Sequence, residues 1–186
     1  MLELPIHKIE TAPPASRPVL EKLVEMRGSV NNMFAVLAAS PAVLKGYMAL
    51  NNEFFQHGTL SMAEKVAVLL TASRENECSY CVPIYTSRAE QIGLDAAVVK
   101  ALRNGETVED ERLATLVDFT ASLVRSRGKV EPYQVEAFLS AGYTEAQVLE
   151  VLAALALKTV TNYLTQFTAI PLDDSLLEFA WEPSGG

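Results

Sequence analysis

From Tyr143 to Ala169 the chain runs without a proline or a glycine. Strands seldom exceed about ten residues, so a stretch of this length reads as one long helix over 144–168. The remaining segments carry start and stop signals of the same kind. Ser40-Pro41 places a capping serine before a proline at the first helical position. Ser61 with Glu64 three residues later forms a capping box. Gly28, Gly58, Gly93, Asn104-Gly105 and Gly128 stand where apolar periodic stretches end. These signals predict further helices over 18–27, 32–38, 41–56, 61–73, from near Cys78 to Gly93, and over 95–103, 109–127 and 131–140. No segment alternates apolar and polar residues as a half-buried strand does. The reading is an all-α, single-domain helical bundle of about eight helices. Pro5, Pro13 and Pro14 keep residues 1–15 an irregular arm, and residues 172–186 form a C-terminal tail.

Charge narrows the function classes. Acidic residues outnumber basic ones 23 to 15, for a net charge of -8. A nucleic-acid partner needs a basic face, and an anionic membrane surface repels a chain of this sign. The N-terminus mixes charges with no apolar run, unlike a signal peptide. The apolar runs Met33–Ala39 and Val151–Leu157 are too short to span a bilayer and read as buried helix. Two cysteines without an export signal fit a reducing, cytoplasmic setting. The stretch 61–73 is apolar almost all the way round, as a helix buried in a core or an oligomer interface is. With 147–160 it presents more apolar surface than a small monomer covers, so self-association is expected.

The whole cysteine content is Cys78-Ser-Tyr-Cys81. Two cysteines placed at random take this spacing with a chance of roughly one in a hundred. Two thiols three apart at a helix start can close a disulfide with little backbone movement. The positive end of the helix favours a thiolate, the species that attacks a peroxide or a disulfide. Peroxide oxidation gives a sulfenic acid that the second thiol resolves. The plain alternative is a pair of small buried side chains. A zinc site is the other use of the motif, but only His7 and His57 add nitrogen ligands, so no metal and no cofactor is expected.

The stretch from Leu60 to Thr86, with Ser73-Arg74-Glu75-Asn76-Glu77-Cys78-Ser79-Tyr80-Cys81-Val82 at its centre, resembles the carboxymuconolactone decarboxylase/AhpD-like family. It is most similar to the peroxidase-related branch, which typically reads S-R-E-N-x-C-x-Y-C-V-x-x-H. The stretch from Lys158 to Gln166, with Asn162-Tyr163, followed by Pro171-Leu172-Asp173, resembles a second family pattern, N-Y-x-N-H…T-P-L-D. The resemblance implies an AhpD-like all-α domain assembling as a homotrimer or homohexamer. It implies a thiol-dependent alkyl hydroperoxidase and disulfide reductase, with a hydroperoxide substrate and a dithiol or thiol-protein reductant. In that family the second cysteine meets the peroxide, the role of Cys81. The first, more accessible one resolves it and exchanges with the reductant, the role of Cys78.

Three departures qualify the resemblance. The family's proton relay, E-x11-C-x-x-C-x3-H, places Val66 at the glutamate and Tyr85 at the histidine. The histidine of the second pattern falls on Gln166. Losing a positioned general base commonly costs roughly 10²–10⁴-fold in rate. Tyr85, one turn after Cys81, is the candidate that compensates through its hydroxyl, or else it simply packs. Glu64 is explained by its cap, Glu75 and Glu77 as solvated turn residues, and His57 as a helix-end residue. Tyr80 gates access or packs. Asn162, Tyr163 and Gln166 are read as sharing a helix face near the cysteines or a subunit contact. Three functions follow: a weakened thiol peroxidase, a catalytically degenerate redox sensor or structural oligomer, and, least expected, a lactone decarboxylase.

Overall fold

The structure, a computed structural model, describes residues 1–183. Among the described residues there are nine α-helices: α1 (Arg17–Arg27), α2 (Asn32–Leu37), α3 (Pro41–Gln56), α4 (Met62–Glu75), α5 (Cys81–Gln91), α6 (Ala96–Asn104), α7 (Glu111–Ser126), α8 (Pro132–Ser140) and α9 (Glu145–Phe167). The all-α expectation holds, and most boundaries fall within a residue or two of the sequence signals. Within the C-terminal tail, Asp174–Phe179 closes into a 3-10 helix. The N-terminal arm is tethered too, through an isolated bridge between Leu2 and Thr168 and a bond from His7 N to the Ala35 carbonyl.

α4 is the axis of the bundle. Every residue from Glu64 to Ser73 is buried, with α5, α6, α7 and α9 packed around it. Its all-round apolar surface is therefore used up inside the protomer. Ser61 and Glu64 form the expected capping box, and Glu64 also pairs with Arg112. Lys65 is buried by its stem, while its ammonium donates to the Phe55 and Gly58 carbonyls at 3.1 and 2.8 Å. A cation thus caps the C-terminal end of α3. Gly58 is required there, since an added Cβ would stand 2.6 Å from the Phe54 carbonyl oxygen.

Two further features bear on function. α9 buries Val151, Ala154, Leu157, Lys158, Thr161 and Asn162, and leaves Leu149, Leu152, Val160, Tyr163 and Phe167 exposed as an apolar stripe on its opposite side. α9 is also the one described helix long and apolar enough to cross a membrane, a test that core helices of soluble proteins pass as well. The tail crosses α5, where Arg103 donates to the Thr86 hydroxyl and to the Phe179 and Ala180 carbonyls.

Phe138 is fully buried between Phe119 and Tyr143, with ring centroids 4.5 and 4.6 Å away. Phe138→Ala is expected to destabilise the fold by about 3–5 kcal/mol, measured as the shift in a urea unfolding midpoint. A loss below about 1 kcal/mol would contradict this packing.

Candidate functional site

The cysteine turn is built by the way α4 stops. Glu77 adopts φ 51, the left-handed region, and the Cys78 amide reaches back to the Ser73 carbonyl at 2.9 Å. This is the six-to-one closure that usually employs glycine. A glutamate there costs about 1 kcal/mol, and the end of the predicted helix over 61–73 was therefore not marked by a glycine. The helix start expected near Cys78 lies instead at Cys81. Tyr80, at the N-cap, offers no side-chain cap. Cys78 takes that part: its Sγ accepts the Cys81 amide at 3.1 Å, and its carbonyl accepts the Cys81 and Val82 amides, each at 3.1 Å. Both sulfurs are thereby drawn to the positive end of α5.

Cys78 and Cys81 are both free thiols, each about 1% exposed. The greater accessibility expected of Cys78 is not seen, because α9 covers it, with the Thr165 hydroxyl 3.2 Å from its sulfur. The surroundings are polar nonetheless. Lys158, 1% exposed, enters from α9 with its ammonium 4.4 Å from the Tyr85 ring centre. The hydrogen bond from the Cys81 side chain, the Lys158 charge and Thr165 together outweigh burial, and the Cys78 thiol is lowered to about 6. Cys81 moves the other way: burial first, then its hydrogen bond to Cys78, hold it well above the ordinary thiol range. The pair thus ionises once, and the resting thiolate is on Cys78. Burial opposes the Lys158 charge, yet Cys81, Tyr85 and Cys78 outweigh it and raise its pKa above the usual lysine value.

Cys81 borders a cavity of about 50 Å³ whose walls include Tyr47, Tyr85, Arg27, Arg88 and Lys158. Tyr47 is kept a neutral phenol by burial, reinforced by Tyr85 and Cys81. Tyr85 therefore sits where its spacing from Cys81 suggested, facing the same space. Among the described residues no three His, Cys, Asp or Glu side chains converge, so the cysteine pair gathers no third protein ligand of these types within the protomer.

The other candidates disperse. Val66 packs with Ala89 and Val99, in a small cluster separate from the one holding the cysteines. His57 is an exposed end residue of α3 beside Glu53. Glu77 is exposed as expected, but Glu75 is not solvated: its buried carboxylate pairs with Arg74 and Arg125. Tyr80 is a pin, donating to Asp173 Oδ2 at 2.6 Å and accepting the Met33 amide at 3.0 Å. Asn162 and Gln166 bind the Ala72 and Asn76 carbonyls at the end of α4. Tyr163 does not share their face, because one residue turns the helix by about 100°, and it is exposed. Lys158 is the residue that sequence reasoning missed. The available signal was a lone charge on the stripe Val151, Ala154, Lys158, Thr161, where every other member is apolar or small.

No protein-family model matches the sequence, and no curated protein matches it. Solved structures do. An uncharacterized peroxidase-related protein from Ralstonia eutropha JMP134, described as an alkylhydroperoxidase AhpD core, superposes with a TM-score of 0.83 at 18% identity, over 94% of this chain and 93% of that one. A peroxidase-related protein from Silicibacter sp. TM1040 gives 0.79 at 21% identity, over 94% and 92%. The debrominase Bmp8 gives 0.78 at 16% identity, over 94% of each chain. The likeness seen in the cysteine motif thus extends over the backbone, and this chain has the AhpD-like fold.

Proposed function

We propose that the chain is a thiol-dependent peroxidase and disulfide reductase in which Cys78 and Cys81 cycle between dithiol and disulfide. The observation that carries this reading is the buried Lys158 ammonium beside the two sulfurs. A structural cysteine pair has no need of a buried cation, whose isolation from water costs several kcal/mol. A thiol nucleophile does need one, since the charge favours the thiolate. The same observation favours catalysis over a degenerate sensor: the relay positions are empty, but Lys158 supplies charge from another helix.

The steps follow from the geometry. Cys81, which faces the cavity, passes its proton to the Cys78 thiolate along their shared hydrogen bond. The Cys81 thiolate attacks one oxygen of the hydroperoxide, the O–O bond breaks, and the departing alkoxide takes a proton to become an alcohol. Cys81 is then a sulfenic acid. Cys78, deprotonated when its proton goes to the alkoxide, attacks that sulfur and expels hydroxide, which takes a proton from solvent to become water and leaves the disulfide. A dithiol reductant returns both electrons by exchange. Lys158, the neutral phenol Tyr47 and the Tyr85 side chain line the space where the alkoxide forms. We place the protein in the cytoplasm, where such reductants keep thiols reduced, and we read the α9 stripe as its contact in a homotrimer or homohexamer.

Two outcomes are expected. Cumene hydroperoxide turnover with dithiothreitol should fall at least 100-fold in Cys81→Ser, and Cys78→Ser should accumulate a dimedone-trapped sulfenic acid on Cys81. Equal turnover in wild type and Cys81→Ser removes the reading. Light scattering should return a trimeric or hexameric mass that Leu152→Glu combined with Tyr163→Glu reduces to the monomer; a monomeric wild type contradicts the assembly.

A further inference from the structure

The route to Cys81 carries three cations and no acid. Lys158 is innermost, Arg88 is half-buried, and Arg27 is exposed at the rim. No carboxylate lines the cavity, on a chain where acids outnumber bases 23 to 15. Neither arginine forms an ion pair among the described residues, whereas Arg74, Arg112 and Arg125 all do. Instead the Arg88 guanidinium lies over the Phe55 ring at 4.1 Å, and Arg27 over Phe34 at 5.5 Å. Rings hold the guanidinium planes in place without neutralising them, and the edges stay available to an anion. Arg27 and Arg88 are also close enough to repel one another, which adds to the effect of burial in lowering the Arg88 pKa. Two like charges held together without a counter-ion are the arrangement that a bound anion relieves.

We propose that this cavity selects a negatively charged oxidant, of the class of small organic hydroperoxides bearing a carboxylate, with Arg27 and Arg88 binding the carboxylate and Cys81 meeting the peroxide. The size of the space sets the division of labour. At about 50 Å³ the cavity is small and suits the compact peroxide end of such a molecule. The inner end, beside Cys81 and Lys158, takes the peroxide, and the carboxylate sits at the arginine-lined rim. Tyr47, Tyr85 and Phe34 give the walls an apolar character suited to the hydrocarbon between the two ends. The inference rests on the thiol chemistry proposed above for Cys81, but charge selection is measurable without any turnover.

Alkylation supplies that measurement. At pH 8 iodoacetate and iodoacetamide offer the same leaving group and differ in charge, and peptide mapping reads their addition at Cys81 separately from Cys78. The ratio of their rates on wild type should exceed the ratio on a neutral N-acetylcysteine amide by at least tenfold, and should fall as salt is raised. Arg27→Gln and Arg88→Gln should each lower the iodoacetate rate several-fold and leave iodoacetamide within about twofold. Arg27 is exposed, so its replacement leaves the core intact. A wild-type ratio equal to that of the free amide overturns the proposal. So does failure of both reagents to reach the thiols, because the arginines would then line no route. A raised ratio in a protein that turns over no peroxide would sustain charge selection and reject the proposed peroxidase reaction alone.

Discussion

A lysine ammonium sealed inside a helical bundle needs a negative partner, and the fold supplies no carboxylate to Lys158. What faces it are the thiols of Cys81 and Cys78 and the ring of Tyr85. The lowest-cost anion among them is a thiolate, because an ordinary thiol ionises near about 8.5 and a phenol near about 10. The lysine and the cysteine pair therefore depend on each other. The hydrogen bond from Cys81 and then the charge on Lys158 favour the thiolate, and the sulfurs with Tyr85 keep Lys158 charged against the desolvation that would otherwise neutralise it.

The rest of the architecture holds this pair in register. α4 ends in a left-handed residue that swings Cys78 back over its own last turn. α5 starts from the Cys78 carbonyl and sulfur. α9 lies across both, with Asn162 bound to the Ala72 carbonyl and Gln166 to the Asn76 carbonyl. These two bonds set the height at which Lys158 and Thr165 meet the sulfurs. Tyr80, between the cysteines, is fixed by Asp173 and the Met33 amide, and Asp173 Oδ1 also accepts the Asn32 amide at 3.0 Å. The tail, the start of α2 and the cysteine turn are thereby joined at one carboxylate. Gln166 and Asp173 belong to the second family-like stretch, so that stretch here carries alignment of the site.

Most of the helices were legible because their ends are written in local chemistry: Ser40-Pro41, the Ser61–Glu64 box, the glycines at 28 and 105. The cysteine pair was legible from its spacing, and Tyr85 from the relay position that the family resemblance gives it and its place one turn after Cys81. The 3-10 helix in the tail was not, since its order comes from Arg103 and α5 rather than from its own residues. Glu75 looked solvated because a charged residue at a helix end usually is; its burial depends on Arg125, which is remote in sequence. Lys158 was hidden for the same reason. A lysine beside an apolar run reads as the end of that run, and only the tertiary fold shows that it points inward. The empty relay positions Val66 and Gln166 suggested loss of function, but the charge had moved to a different helix.

The hydrogen bond from Cys81 and the Lys158 charge together hold a thiolate on Cys78 near neutral pH. The ultraviolet absorbance of the thiolate, followed against pH in the reduced protein, reads this directly. Because the thiol is depressed, the signal should appear as pH rises through about 6. In Lys158→Met, a replacement of similar length without the charge, the transition should move up by at least one pH unit. A wild-type transition near about 8.5, or one that stays in place when the lysine is replaced, would contradict the account.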